Sequence, residues 1–247
     1  MTTELQTPEK PHVDAIVCWP DSADYPLFRD FVKYHRQYFN KFIIVFTETN
    51  QGEDYREFVK EAMEYDDITF LENGNVTAED DWRNVAVNKA LDHSSSNWVW
   101  FWEQDLMVTS GNFWAFFART MMDYDAVGWK DGDTRLHPAC LLVKREFIDK
   151  TNRNFSIKPG KLDHFAMFFT SLRLSGARIR KITYPNDLFY HMNGLSHNMA
   201  LAEREEEVTY KPEEFYQYLI LCLAQPNLHP SFKKWAEREC IKNLATE

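Results

Sequence analysis

The stretch WVWFWEQDLMV, residues 98–108, joins five large apolar residues directly to two carboxylates. Five residues are enough for a strand, and apolar side chains at every position from Trp98 to Trp102 predict a strand buried on both faces. Such strands occur in parallel sheets that helices cover on both sides. Glu103 and Asp105 follow where this strand ends.

The segments before this strand alternate between strand and helix patterns. Their predicted order is strand 13–19, helix 27–39, strand 41–47, helix 55–65, strand 68–72 and helix 78–95. This order predicts an α/β protein, with a Rossmann-like, mixed but mostly parallel sheet flanked by helices.

After residue 105 the alternation is less regular. The predicted elements are helix 110–124, strands 125–130 and 137–148, a helix from 161 that Gly176 closes, a strand up to 182, a late strand or loop 186–194, and helices within 212–244. We predict a flexible leader at 1–12, one domain at 13–200 and a helical C-terminal extension at 201–247 packed on that domain.

The overall charge excludes a global basic surface for nucleic acid, because the 247 residues carry a formal net charge of -10. The segment 144–181 is different, since ten Lys and Arg against three acids give it +7 and leave -17 for the rest. It is either a solvated basic face or a patch for an anionic donor or acceptor.

Cysteine usage and hydropathy indicate a soluble, cytoplasmic protein. The four cysteines show no C-x-x-C spacing, and neither a signal peptide nor a run of 18 apolar residues is present. We therefore expect reduced thiols and no transmembrane segment; the sequence does not indicate an oligomeric state.

The acid-x-acid spacing of Glu103 and Asp105 suits a divalent cation. On an extended backbone the two carboxylates point to the same side, and Mg²⁺ and Mn²⁺ prefer carboxylate and phosphate oxygens. The alternative is a strand-ending turn with surface acids. A glycine-rich phosphate loop is absent, and CWPDSADYP at 18–26 lacks the glycines expected after the first strand of a nucleotidyltransferase.

Four segments in order resemble the glycosyltransferases of the GT-A fold, in particular the family 2-like group. They are RNVAVNKALDHSSSNWVWFWEQD (83–105), HPACLLVKREF (137–147), DHFAMFFTSLRLSGARI (163–179) and YHMNGLSHN (190–198). The resemblance covers about residues 13–198. This chain departs from the family at two places. Glu103 replaces the usual Asp, and Glu48 is the single acid where the family usually has an acidic pair after the second strand.

The resemblance implies a role for each matching residue. The implied metal ligands are Glu103, Asp105 and His191, with His197 as a competitor for His191. The implied donor-binding residues are Trp19, Glu48, Arg83, Asn84 and Glu103. Arg83 could instead pair with Asp80 on the helix surface, and His191 could be a core or capping histidine.

Asp163 is the implied general base, because an inverting transfer needs a carboxylate to accept the proton of the acceptor hydroxyl. His164 could share this role. The alternative for Asp163 is a helix N-cap, a position that Asp favours.

Together these features predict a metal-dependent hexosyl- or pentosyltransferase that uses Mn²⁺ or Mg²⁺ and a nucleotide-sugar, most simply a UDP-sugar. The acceptor is open: a hydroxymethylated DNA base of phage type, or a saccharide or lipid. A non-catalytic GT-A-like protein that binds a sugar or a partner is the alternative outside enzymes.

Overall fold

The computed structural model describes residues 11–19, 32, 34–46, 60, 64–73, 82–103, 106–131, 135–156, 165–183, 188–191 and 237. Nine strands lie within these ranges: β1 (Val13–Trp19), β2 (Lys41–Phe46), β3 (Ile68–Glu72), β4 (Trp98–Trp102), β5 (Leu106–Val108), β6 (Ala126–Asp131), β7 (Arg135–Lys144), β8 (Ile179–Ile182) and β9 (Phe189–His191). The helices described are α1 (Trp82–His93), α2 (Phe113–Asp123), α3 (Arg145–Ile148) and α4 (Ala166–Leu174), with a 3₁₀ turn at Arg36–Tyr38.

Seven strands form one sheet in the order β3-β2-β1-β4-β7-β6-β8. Neighbouring strands are parallel except for β7, which runs antiparallel to both β4 and β6. The predicted mixed, mostly parallel sheet is therefore confirmed. The carboxyl ends of β1, β2, β3, β4, β6 and β8 all lie at the same edge of the sheet.

Strand β4 is buried on both faces, as its composition predicts. Trp98, Trp100 and Trp102 contact the core on one face, which also contains Phe113 and Phe117 of α2. Val99 and Phe101 contact the core on the other face, together with apolar residues of α1 and α4. Burying an aromatic residue contributes about 2 to 3 kcal/mol, so this strand is firmly anchored.

The amino-terminal edge of the sheet is held by a buried carboxylate. Asp14 of β1 is fully buried and accepts hydrogen bonds from Ser94 Oγ (2.9 Å), Ser95 N (2.9 Å) and both the N–H (3.0 Å) and Oγ (2.6 Å) of Ser96. Asn40 Nδ2 donates a further bond of 3.2 Å. The serine-rich loop between α1 and β4 thus caps this carboxylate and ties α1 to the start of the sheet.

Several predicted bounds change. The strand predicted at 137–148 ends at Lys144, because residues 145–148 form α3, and Arg145 there donates to Asp149 and to the carbonyl of Leu91. Gly176 does end α4, with φ of 83°. The late segment contains a strand, β9, and β5 was not predicted as a separate strand.

Two predictions fall mainly beyond the described ranges: the leader at 1–12, of which only residues 11 and 12 are described, and the C-terminal extension. In the segment 201–247, the structure describes only Glu237, which lies in a helix. None of the helices that the structure describes is both long and apolar enough to span a bilayer.

Candidate functional site

A cleft opens at the carboxyl edge of the sheet, beside the ends of β1 and β4. It encloses about 320 Å³ including its open mouth, and it is lined by the apolar side chains of Ile16, Val87 and Phe101 and by the charged side chains of Arg83 and Glu103. Crevices at the carboxyl ends of parallel strands are where α/β proteins bind ligands. The cleft is therefore the candidate site.

Arg83 and Glu103 lie together in this cleft. Arg83 is in the first turn of α1, and its Nη1 lies 4.0 Å from Oε1 of Glu103, directly after β4. Both side chains remain partly exposed, at 21% and 28%. The pair presents one cation and one carboxylate to a ligand, while Asp80, the alternative partner for Arg83, lies outside the described residues.

The chain turns back directly after Glu103. The N–H of Leu106 donates to the carbonyl of Glu103 over 3.1 Å, a bond between residues three apart that is typical of a β-turn. The expected extended backbone from Glu103 to Asp105 falls on residues 104 and 105, which lie outside the described residues.

The small sheet of β5 and β9 brings two distant segments together. The strands are antiparallel, and Leu106 is the residue opposite His191. Paired residues in antiparallel strands have Cα atoms about 4.5 to 5.5 Å apart. The backbone of His191 therefore lies next to that of Leu106, the residue after Asp105. His197, the competing candidate ligand, lies outside the described residues.

Among the side chains that the structure describes, no group of three His, Cys, Asp or Glu residues is placed to hold a cation. Of the predicted ligands, the structure describes the side chain of Glu103 and the backbone of His191. The carboxylate of Glu103 is the kind of oxygen ligand that Mn²⁺ and Mg²⁺ prefer.

The side chain of Asn84 is used within the protein. Its Oδ1 accepts a hydrogen bond from the N–H of Phe155 (2.9 Å), and Asn88 one turn later donates to the carbonyl of Arg153 (3.1 Å). Helix α1 thereby holds the segment 153–156 from two points. This segment leads into the stretch that carries Asp163.

The residue before α4, Phe165, also lines the cleft. Its φ is 66°, and α4 begins at Ala166. The N-cap position of the described helix therefore belongs to Phe165. Asp163 and His164 lie outside the described residues.

The ends of β1 and β2 are adjacent, since Trp19 is the residue opposite Phe46. The backbone of Trp19 thus reaches the edge where the cleft opens, and its donor-binding role stays a prediction. Glu48, two residues beyond Phe46, lies outside the described residues.

Cys18 lines the same cleft, a position that sequence reasoning missed. Burial raises the pKa of the Cys18 thiol to about 12, and the nearby positive charge of Arg83 only partly opposes this. The thiol is therefore neutral at physiological pH and is a poor nucleophile. Cys140 is fully buried, and its pKa is also raised by burial.

Most of the described basic side chains in the segment 144–181 have local partners. Of its eight Lys and Arg side chains that the structure describes, four lie within 4.0 Å of acidic oxygens: Lys144, Arg145, Arg153 and Arg178. Two others lie over aromatic rings, Lys150 over Phe147 and Arg180 over Tyr124. Local pairing accounts for much of the excess charge that the sequence shows.

Searches by sequence find no relative, since no protein-family model and no curated protein matches the chain. Solved structures do match. The mannosyltransferase PcManGT from Pyrobaculum calidifontis, in complex with GDP-Man and Mn²⁺, has a TM-score of 0.57 and 16% identity, over 96% of this chain and 71% of that one. TarS from S. aureus, in complex with UDP-GlcNAc, has a TM-score of 0.53 and 14% identity, over 93% and 71%.

A third match has a different activity in its name. The 4-diphosphocytidyl-2C-methyl-D-erythritol synthase from Anaerococcus prevotii has a TM-score of 0.50 and 12% identity, over 79% of this chain and all of that one. At such identities the matches show the fold. The chain has the GT-A type of fold, which confirms the expected class.

Proposed function

We propose that this protein is a metal-dependent glycosyltransferase that moves a sugar from a nucleotide-sugar donor to a hydroxyl group. The observation that carries the proposal is the register of β5 and β9. It sets His191 opposite Leu106, so that two segments 85 residues apart meet beside the turn that follows Glu103. A nucleotide-sugar donor carries a diphosphate, and a divalent cation held at this point would neutralise its charge.

The predicted metal ligands and Arg83 each have a role in this proposal. Asp105 and His191 hold a divalent cation, with Glu103 as a further ligand or a contact to the donor ribose. Bound there, Mn²⁺ or Mg²⁺ would neutralise the charge of the diphosphate leaving group. Arg83, in the same cleft, adds positive charge close to the phosphates.

The remaining donor contacts come from the sheet edge. Trp19 and Glu48 flank the base and ribose beyond β1 and β2. The apolar lining of Ile16 and Phe101 excludes water from the nucleotide. We leave Asn84 out of the donor site, because its carboxamide oxygen already accepts the Phe155 and Asn88 donors.

The transfer forms one bond and breaks another. The acceptor oxygen bonds to the anomeric carbon of the sugar, the bond from that carbon to the phosphate oxygen breaks, and a nucleoside diphosphate leaves. In an inverting transfer Asp163 accepts the hydroxyl proton, with His164 as the alternative base. Phe165 belongs to the cleft lining, which supports a base two residues earlier in the chain.

The fold alone is compatible with nucleotidyl transfer as well, as the Anaerococcus synthase illustrates. We favour sugar transfer because residues 18–26 lack a glycine-rich loop for a triphosphate. The products distinguish the two reactions, since sugar transfer releases a nucleoside diphosphate and nucleotidyl transfer releases pyrophosphate.

The acceptor could be a hydroxymethylated DNA base, which the +7 segment would support. The local ion pairs in that segment reduce the charge left for phosphates, so saccharide and lipid acceptors remain alternatives. Duplex binding at 50 and 200 mM salt separates them: a DNA acceptor requires affinity that falls steeply with salt. Absent or salt-independent binding would remove the DNA option.

Calorimetry with Mn²⁺ and a panel of UDP- and GDP-sugars tests the proposal. We expect donor binding that requires Mn²⁺, loss of that binding in Asp105→Ala, and slow donor hydrolysis without acceptor, which a non-catalytic binding protein would not show. Asp66→Ala, an exposed acid at the opposite edge of the sheet, is the matched control. Metal-independent binding, or no binding of any nucleotide-sugar, would refute it.

A further inference from the structure

Two buried side chains hold both backbone groups of Val108 in β5. Nε2 of His35 accepts a hydrogen bond from the N–H of Val108 (3.0 Å), and the hydroxyl of Tyr34 donates to its carbonyl (2.8 Å). His35 is fully buried and Tyr34 is 6% exposed. The hydroxyl of Tyr38 lies 3.2 Å from that of Tyr34 and extends this buried network.

These contacts lie at the edge of β5 that faces away from its partner strand β9. The N–H of Thr109, the next residue, donates to the carbonyl of Leu188 beside β9 (3.0 Å). Because backbone groups alternate between the two edges of a strand, those of Val108 point away from β9. Tyr34 and His35 therefore take the place of a third strand beside β5.

His35 also contacts the other side of the turn after β4. Its ring lies 5.3 Å, between centroids, from that of Trp102, the last residue of β4. One imidazole thus touches the residue before Glu103 and binds the backbone of Val108 five residues after it. The hydrogen bond from Leu106 to Glu103 closes the turn between these two contacts.

We propose that Tyr34 and His35 are positioning residues that fix the turn beginning at Glu103 and so set the geometry of its divalent cation site. The inference rests on the proposed function. The physical reason is that the two bonds hold β5 against the buried residues Tyr34 and His35. Strand β5 cannot shift along β9 without breaking both of them. A shift of β5 would move the turn and change the opposition of Leu106 and His191.

The effect of losing these contacts should be seen in metal affinity. Removing groups that orient metal ligands commonly weakens metal binding by about 10-fold to 100-fold. We expect this range for Tyr34→Phe, which lacks only the hydroxyl, and for His35→Phe, which keeps a ring against Trp102 but cannot accept the Val108 N–H. His35→Gln offers an amide oxygen as acceptor and should restore affinity to within about 3-fold of wild type.

Mn²⁺ titration of the 247-residue chain, followed by electron paramagnetic resonance, measures this directly and does not depend on turnover. Asp14→Asn is the control, because Asp14 is buried and hydrogen-bonded at the opposite edge of the sheet, and its loss lowers stability without touching the turn. Melting curves of all variants identify a temperature at which every variant is folded, and the titrations are made at that temperature. If His35→Phe does not fold, Tyr34→Phe still tests the inference.

The outcomes separate the two proposals. Wild-type Mn²⁺ binding that weakens in Tyr34→Phe and His35→Phe but not in Asp14→Asn supports the inference. Wild-type binding that is unchanged in the first two variants, or equally weakened in Asp14→Asn, overturns it and leaves the proposed function intact. Absence of Mn²⁺ binding by the wild type overturns both.

Discussion

At the scale of single residues, the same kind of side chain has opposite roles at the two edges of the sheet. Asp14 is fully buried and surrounded by donors at the amino-terminal edge. Glu103 is partly exposed, beside one arginine, at the carboxyl edge. A carboxylate that the protein already satisfies stabilises the fold, whereas one that faces a cleft remains able to bind a ligand.

Asp14 should make the protein sensitive to acid. Burial alone would raise its pKa, but the hydrogen bonds from Ser96, Asn40 and Ser95 outweigh this and hold the pKa of Asp14 below its usual value. A lowered pKa in the folded state contributes stability above the unfolded value of 3.8, and this contribution is lost as pH falls through the folded pKa.

Asp14→Asn should therefore lower the free energy of unfolding by about 2 to 3 kcal/mol at pH 7, since hydrogen bonds to a charged group are worth about that much. The loss relative to wild type should shrink below pH ~4, where the wild-type carboxylate also becomes protonated. Urea unfolding at pH 7 and at several lower pH values measures both. An equal loss at every pH would contradict the assignment.

The sequence allowed some of these residues to be predicted and not others. Glu103 could be placed at the end of a strand because an apolar run stops there. The contact of Arg83 with Glu103 could not, because it depends on how α1 lies against β4. The serine-rich loop is predictable only as a loop, since its donors gain a function only when Asp14 of a distant strand meets them.

At the scale of elements, the strands were predictable because a short apolar run bounded by turn residues is typical of a buried strand. Strand β5 was missed because three residues between polar neighbours give no periodic signal, and its partner β9 lies more than 80 residues away. The end of β7 at Lys144 was also missed, because the apolar residues of α3 continue the pattern of the strand.

Two glycines allow steric and conformational effects to be compared. A Cβ on Gly128 in β6 would lie 2.9 Å from the carbonyl oxygen of Cys140 and 2.8 Å from Cδ1 of Leu136. At Gly176 a Cβ would meet nothing within 4 Å, but φ is 83°. Gly128 is needed for a close approach of β6 to β7, and Gly176 for a left-handed helix end.

Gly128→Ala should destabilise the protein by about 2 to 3 kcal/mol, because overpacking against a backbone atom forces a strand to shift. Gly176→Ala should cost about 1 kcal/mol from the backbone conformation alone. Gly176→Asn should recover part of that cost, since Asn tolerates the left-handed region, whereas Gly128→Asn should be worse than Gly128→Ala. Thermal unfolding of the four variants tests this order, and equal costs at both positions would contradict it.

Asn84 of α1 binds the segment that precedes Asp163 in the chain. Asn84→Ala leaves the N–H of Phe155 without its acceptor, while Asn88 still holds Arg153. We expect kcat to fall about 10-fold with little change in the KM of the donor, because a displaced base slows proton transfer and not donor binding. Steady-state kinetics with varied donor measure the split; a raised KM at unchanged kcat would instead show that Asn84 binds the donor.

At the scale of the whole molecule, the sheet order explains why one edge collects the candidate site residues. Six of the seven strands in the large sheet share one direction, so their carboxyl ends meet at a single edge. The antiparallel β7 brings Pro138, near its beginning, to the same edge, where it lines the cleft. The alternation of strands and helices predicted this edge, but not which residues would face the cleft.

Ligand binding at this edge should stabilise the entire domain. A ligand that binds only the folded state at 100 times its Kd adds about 2.7 kcal/mol, and for a chain of this length each kcal/mol raises Tm by about 2 to 4 °C. We expect Mn²⁺ and UDP together to raise Tm by about 5 to 10 °C, and either alone to raise it less, because the cation and the diphosphate bind each other as well as the protein.

Arg83→Leu should abolish most of this joint shift, because it removes the cation beside Glu103 while keeping an apolar stem in the cleft. Met122→Ala, at a side chain 81% exposed on α2, should leave the shift at its wild-type size. Differential scanning fluorimetry of the three proteins, with Mn²⁺, UDP, both or neither, measures it. A wild-type shift that persists in Arg83→Leu would mean that the diphosphate binds elsewhere than in this cleft.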